Sequence, residues 1–189
     1  MVANPARRSN LAHAALKILG NEGPRALTHR AVDRKAELPL GTCANYFPNK
    51  TELLLAMAQQ IFELLAPEPK RLEQLAGLAT DEATAAYVKY VTERLLEHRY
   101  LAAALIELRL EAARSDEVRA ILAPVLQQGF EADVAFHRER GLPGGSDEVL
   151  LLHHLVNGAV LDAITIPMRP GLDVEDVVSQ AAKRLTGTT

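Results

Sequence analysis

Residues 38–50 read LPLGTCANYFPNK, and the spacing inside them governs how the chain around them is read. Leu40, Cys43, Ala44 and Phe47 stand at i, i+3, i+4 and i+7, the repeat of one helix face. A short third helix is therefore expected over Leu40–Phe47, with those four residues packed inward. The opposite face is left with Gly41, Thr42, Asn45 and Tyr46. A glycine inside so short a helix costs about 1 kcal/mol relative to alanine, but it lets a partner approach the backbone closely. Pro48 ends the helix, and Asn49 with Glu52 three residues on resembles a capping box that opens a fourth helix to about Leu65.

Helical spacing extends in both directions. Over Arg7–Glu22, Leu11, Ala14, Ala15, Ile18 and Leu19 form a one-sided stripe that ends at Asn21–Pro24. Thr28 reads as the N-cap of a short helix to Ala36, on which His29 and Asp33 form a surface pair at i and i+4. Two short helices braced by a longer one make a helix-turn-helix arrangement. Residues 66–80, with Pro67, Pro69 and Gly77, read as a linker with room for some helix. Further helices are expected near Asp81–Glu97, Tyr100–Arg114, Asp116–Arg140, Asp147–Ile166 and Asp173–Leu185, with Pro124 kinking the third of these. The expected fold is all-α: an N-terminal three-helix domain over residues 1–50 and a larger helical domain over 51–189.

A chain of 189 residues that is 48% hydrophobic can bury a substantial core, which excludes a disordered tail. No apolar run resembles a bilayer span, because Val149–Ile166 is interrupted by His153, His154, Asn157, Gly158 and Asp162. MVANPARRSN lacks the apolar core of a secretory signal, and the single Cys43 fits a reducing compartment, so a cytoplasmic protein is expected. Cys43 itself reads as a small packed residue. The six histidines have no tight ligand spacing, so no metal and no cofactor is expected. The net charge of −3 hides a division: residues 1–50 carry eight basic and three acidic residues, a net +5, and the remainder carries −8. A basic head that meets a polyanion and an acidic body that avoids one fit that division, as does a merely solvated face.

The helix-turn-helix and the exposed residue types point to duplex DNA. Asn45 can offer a bidentate amide to adenine, Thr42 can bond a base or phosphate, and Tyr46 can reach a phosphate oxygen. Lys50 falls in the first turn of the fourth helix, and Thr28, His29 and Arg30 open the second, where free N–H groups favour an anion. Residues 8–57 resemble the DNA-binding domain of the TetR family of transcriptional regulators. Gly23, Thr28, Gly41, Thr42, Tyr46, Phe47 and Lys50 stand in that family's order and spacing. The departures are Ala44, where an aromatic residue is common, and Pro39-Leu40 in place of a polar pair.

The resemblance implies a homodimer and a small-molecule effector pocket in the C-terminal domain, and thus a repressor released from a palindromic operator. The last two helices then supply the dimer interface, through Leu151, Leu155, Gly158, Ala159 and Asp162 on one and Val174, Val177, Val178, Ala181 and Leu185 on the other. Tyr87, Tyr90 and Arg94 share a helix side and, with Arg109, His137 and His154, are candidates to line the effector cavity, against an ordinary core or surface role for each. An all-helical enzyme is the alternative from another class, but no nucleophile, paired-carboxylate or phosphate-loop constellation stands out. A protein-interaction module without sequence-specific DNA binding is a second alternative.

Overall fold

The computed structural model describes residues 4–187, and the side chains of all of these except 80 and 81. Ten helices and no strand occur among the described residues. The first four are α1 Pro5–Glu22, α2 His29–Lys35, α3 Thr42–Tyr46 and α4 Lys50–Leu64. They are followed by α5 Pro69–Ala76, α6 Thr80–Glu97, α7 Arg99–Ala112, α8 Asp116–Glu139, α9 Ser146–Ile164 and α10 Val174–Leu185. The expected linker thus contains a whole helix, α5, and α8 continues through Pro124 as one element. Among the described residues no helix is long and apolar enough to cross a membrane.

The helices pack into two compact units. One comprises the chain up to Leu64 together with Arg99–Leu126, and the other comprises Leu65–His98 with the chain from Gln127 onward. In the first unit α1 lies against α7, α4 and α2. That coverage on several sides buries Leu11, Ala12, Ala14, Ala15, Leu16, Ile18 and Leu19, a wider set than one stripe. The approach of α1 to α7 depends on Gly20, where an added Cβ would stand 1.9 Å from the Tyr100 carbonyl oxygen. Nearby, His13 Nε2 and the Tyr100 hydroxyl are 2.8 Å apart. Burial, with the Lys17 charge second, holds the His13 pKa below its ordinary value.

In the second unit α10 packs on α6 and α9. Val178, Ala182 and Thr92 are fully buried there. Val178 is therefore core, which corrects its assignment to the dimer interface: a helix held between two others turns one edge of its apolar face inward. A separate cluster gathers Leu75 of α5, Ala83, Tyr87 and Tyr90 of α6, and Leu142, with Phe136 of α8 packed against it. Tyr87 and Phe136 meet edge to face with centroids 5.0 Å apart, a favoured aromatic geometry.

Local signals fix several helix ends, the cap at Thr28 as expected. The Thr28 hydroxyl accepts from the Ala31 N–H at 3.2 Å, and the Asp173 carboxylate accepts from the Asp176 N–H at 3.0 Å. Asn49 Oδ1 accepts from the Glu52 N–H at 2.9 Å, but its return bond runs side chain to side chain, from Asn49 Nδ2 to Glu52 Oε1. The end of α2 is unusual. The Leu38 N–H bonds the Asp33 carbonyl and the Glu37 N–H bonds the Arg34 carbonyl, the paired bonds of a Schellman motif, whose left-handed residue is ordinarily glycine. Here that residue is Glu37, at φ 56°.

Candidate nucleic-acid interface

α3 is only five residues long, too short to hold its conformation alone. It starts two residues later than expected, because Gly41 is its N-cap at φ 91°, a left-handed backbone that glycine adopts without strain. The reading of Gly41 as a costly helix-interior residue is thereby corrected: its role is to turn the chain. The Pro39 carbonyl closes the turn, accepting from the Thr42 N–H at 3.1 Å and from the Thr42 hydroxyl at 2.6 Å.

Both ends of α3 are held by charged side chains. Asp33 of α2 is 1% exposed. Its Oδ2 accepts from the Gly41 N–H at 2.7 Å and its Oδ1 from the Cys43 N–H at 2.6 Å. The carboxylate thus satisfies orphan donors at the start of α3 with charge-assisted bonds. It is no surface pair with His29, which corrects the sequence reading; the amides of α3 give a buried carboxylate the partners it needs. At the other end, Arg8 of α1 donates from Nη1 to the Tyr46 carbonyl at 3.1 Å, and its guanidinium lies 4.4 Å from the centroid of the Phe47 ring. Sequence reasoning missed both residues. The one clue was that an aspartate interrupts an otherwise basic segment.

Inward, α3 turns Cys43 and Phe47, both fully buried. Burial first, and the charge of Asp33 second, push the Cys43 thiol up to about 12. Leu40 and Ala44, expected on the same packed side, are exposed. Leu40 precedes the turn at Gly41 and so lies off the helix's own repeat, and within α3 itself only Cys43 is buried.

The outward surface carries the expected polar set. Gly41 and Asn45 are exposed, and Thr42 and Tyr46 are half-buried. The Tyr46 hydroxyl accepts from the Asn4 N–H at 3.4 Å, leaving its own proton free to donate. Thr28 and Arg30 are exposed and His29 is half-buried, while Arg34 and Lys35 extend the basic surface. Lys50 is 68% exposed, with Nζ 3.4 Å from Glu111 Oε1. Thr51 beside it bonds Glu117. The surface thus sets hydrogen-bond donors and acceptors of α3 among the exposed cations of α2 and α4.

The candidate effector residues fare differently. Tyr87 and Tyr90 are buried together, and Arg94 Nη1 donates to the Tyr90 hydroxyl at 3.4 Å. The Tyr90 hydroxyl also accepts from the Glu68 N–H at 3.0 Å, and Arg94 lies 4.0 Å from Glu68. The Tyr87 hydroxyl is buried without a hydrogen-bond partner among the described residues. His137 is buried beside Phe136, with Nε2 bonded to the Pro143 carbonyl at 2.8 Å. Arg109 and His154 are exposed; His154 is absent from the buried cluster, and Arg109 belongs to the other unit. No group of three or more candidate metal-binding side chains occurs among the described residues.

Known proteins share this architecture. Residues 79–188, more than half of the chain, match the family described as "Tetracyclin repressor-like, C-terminal domain". The HTH-type transcriptional regulator BetI of Rhizobium meliloti (strain 1021) is 28% identical over 119 residues. These cover 62% of this chain and 58% of that relative, so the match spans little more than half of the relative's length. The multidrug binding protein EbrR, solved in complex with ethidium, superposes with a TM-score of 0.68 at 22% identity, over 95% of this chain and 98% of that one. A TetR transcription regulator from Haloarcula marismortui ATCC 43049 superposes with a TM-score of 0.70 at 14% identity, over 97% and 98% of the two chains. At these identities the solved structures establish a common fold.

Proposed function

The chain belongs to the TetR family of transcriptional regulators, and from that premise we propose that it is a homodimeric, cytoplasmic DNA-binding repressor released from a palindromic operator by a small-molecule effector. The functional division falls near residue 50, with a reading head over 1–50 and a body over 51–189 that dimerises and binds the effector. No catalytic step belongs to this reading.

The observation that carries it is α3, whose buried side is Cys43 and Phe47 and whose free side presents Gly41, Thr42, Asn45 and Tyr46 from a +5 segment. Thr42 and Asn45 meet base edges, Tyr46 and Lys50 meet phosphates, and Gly41 lets the backbone come close. Thr28, His29 and Arg30 at the start of α2 hold a neighbouring phosphate. Lys50 has to exchange Glu111 for phosphate, a small cost for a pair so exposed.

For the dimer, α9 and α10 leave Leu151, Leu161, Val177 and Leu185 exposed, with Leu155, Ala159, Asp162, Val174 and Ala181 half-buried between them. At Gly158 an added Cβ would meet nothing within 4 Å, which leaves room for a partner helix. For the effector, the Tyr87 hydroxyl offers a buried polar atom in want of a partner, beside Tyr90 and Arg94. An effector that lowers DNA affinity a thousandfold has to favour the released conformation by about 4 kcal/mol.

The test is selection of bound sequences from a random duplex pool at near-physiological salt, with a Thr42→Ala, Asn45→Ala double variant alongside. A palindromic motif enriched by the native chain and lost in the variant is expected. Enrichment of nothing would overturn sequence reading. Sedimentation showing a monomer at micromolar concentration would overturn the dimer.

A further inference from the structure

Leu40 is 67% exposed, and among the large exposed hydrophobic residues described only Ile166 and Met168, between α9 and α10, are more so. Its exposure is enforced: the Pro39 carbonyl binds both the amide and the hydroxyl of Thr42, and Gly41 at φ 91° reverses the chain, so the side chain between them has no core to enter. Ala44 is exposed too, two residues past Thr42 and next to exposed Asn45. Two exposed apolar side chains, Leu40 and Ala44, therefore bracket Gly41 and Thr42 along the chain at the start of α3.

The charge around it names the occupant. Arg30, Arg34 and Lys35 are exposed on α2, in a segment of net charge +5, so the partner is polyanionic. A polyanion that also offers small apolar groups is duplex DNA, through the 5-methyl of thymine in the major groove. An A·T pair places that methyl on the same edge as the adenine N6 and N7 that Asn45 suits.

We propose that Leu40, together with the exposed Ala44, is a specificity-determining residue that reads thymine methyl groups, so that the operator carries A·T pairs opposite the start of α3. The proposal rests on the DNA-reading function above and goes further by naming the base feature read and the residues that read it.

The test starts from the sequence selected by the native chain. Each thymine of one half-site is replaced in turn by deoxyuridine, which removes the methyl and keeps the pairing, and the dissociation constant is measured by fluorescence anisotropy at fixed salt. For the native chain, deoxyuridine at one or two positions should weaken binding by about fourfold per methyl, the value of one buried carbon. Leu40→Ala should bind the unmodified site about as weakly as the native chain binds the substituted one, lose sensitivity to deoxyuridine, and keep the native salt dependence and melting temperature. Indifference of the native chain to every deoxyuridine, or full sensitivity retained in Leu40→Ala, would overturn the inference while leaving DNA reading intact; the second outcome would give the exposed leucine to a protein partner instead. Failure to select any sequence would overturn DNA reading, and this inference with it.

Discussion

Replacing Asp33 with alanine tests how the reading helix is held. The native carboxylate accepts two backbone N–H bonds, from Gly41 at 2.7 Å and Cys43 at 2.6 Å, and is 1% exposed. Bonds to an ionised group contribute about 1.5–3 kcal/mol each, but burying the carboxylate takes back part of that sum. After the substitution, water can reach the amide of exposed Gly41, whereas that of buried Cys43 is orphaned at a cost of about 1–3 kcal/mol. The net loss should be about 3 kcal/mol, a fall in melting temperature of roughly 6–12 °C for a chain of this size. Asp33→Asn keeps one acceptor and should lose about half as much. Denaturant unfolding measures the stability, and anisotropy on a selected duplex and on a random one measures binding. Affinity for the selected sequence should fall more than affinity for the random one, because phosphate contacts survive a displaced α3 better than base contacts do. Stability of Asp33→Ala within about 0.5 kcal/mol of the native chain, the usual range for a surface substitution, would show that Cys43 and Phe47 position α3 without the carboxylate.

Four further outcomes follow from local geometry. Gly20→Ala gains about 1 kcal/mol of helix propensity, but its Cβ would stand 1.9 Å from a backbone oxygen of Tyr100; overpacking should win, for a net loss of about 2 kcal/mol in denaturant unfolding, and a stabilised variant would refute the close approach of α1 and α7. Glu37→Gly relieves a left-handed residue at φ 56°, worth about 1–2 kcal/mol, against the extra freedom glycine gives the unfolded chain, so a gain of roughly 0.5–1 kcal/mol is expected; a loss would mean that the glutamate side chain contributes what the backbone forfeits. The Cys43 thiol, buried and pushed up to about 12, should resist a thiol reagent at pH 8 in the native chain and react at once in denaturant; equal rates would refute its burial. His13, held below its ordinary 6.5, keeps off a proton that the unfolded chain accepts, so stability should fall as the pH drops below about 6.5. The His13→Gln variant should show a shallower decline, and equal slopes would refute the assignment.

The helices legible in the sequence were those whose signals span three or four residues. Thr28 to Ala31 and Asn49 to Glu52 are caps of that reach; the first forms as read, and the second forms with its return bond between the side chains. The ordered set Gly41, Thr42, Tyr46, Phe47 and Lys50 likewise carries the family resemblance in the sequence itself. What local rules could not show is how α3 is seated. The i, i+4 repeat presumes a continuous helix through residue 40, but the left-handed glycine at 41 breaks the repeat and sends Leu40 outward. Asp33 answers to residues eight and ten positions away, a separation that no cap rule covers, and an aspartate on a short helix otherwise reads as solvated.

A similar ambiguity divides α10. Val174, Val177, Val178, Ala181 and Leu185 form one broad apolar face, and the sequence alone gives no reason to treat neighbours such as Val177 and Val178 differently. Packing against α6 and α9 separates them: Val178 and Ala182 turn fully inward, while Val177 and Leu185 stay 39% exposed. A helix with an apolar face wider than one neighbour can cover is able to serve two surfaces at once, its own core along one edge and a second copy of the chain along the other. Leu40 follows the same logic on the reading head. An apolar side chain that the fold holds in water gains burial only from something outside the chain. For α10 that is the proposed partner subunit, and for Leu40 the proposed thymine methyl.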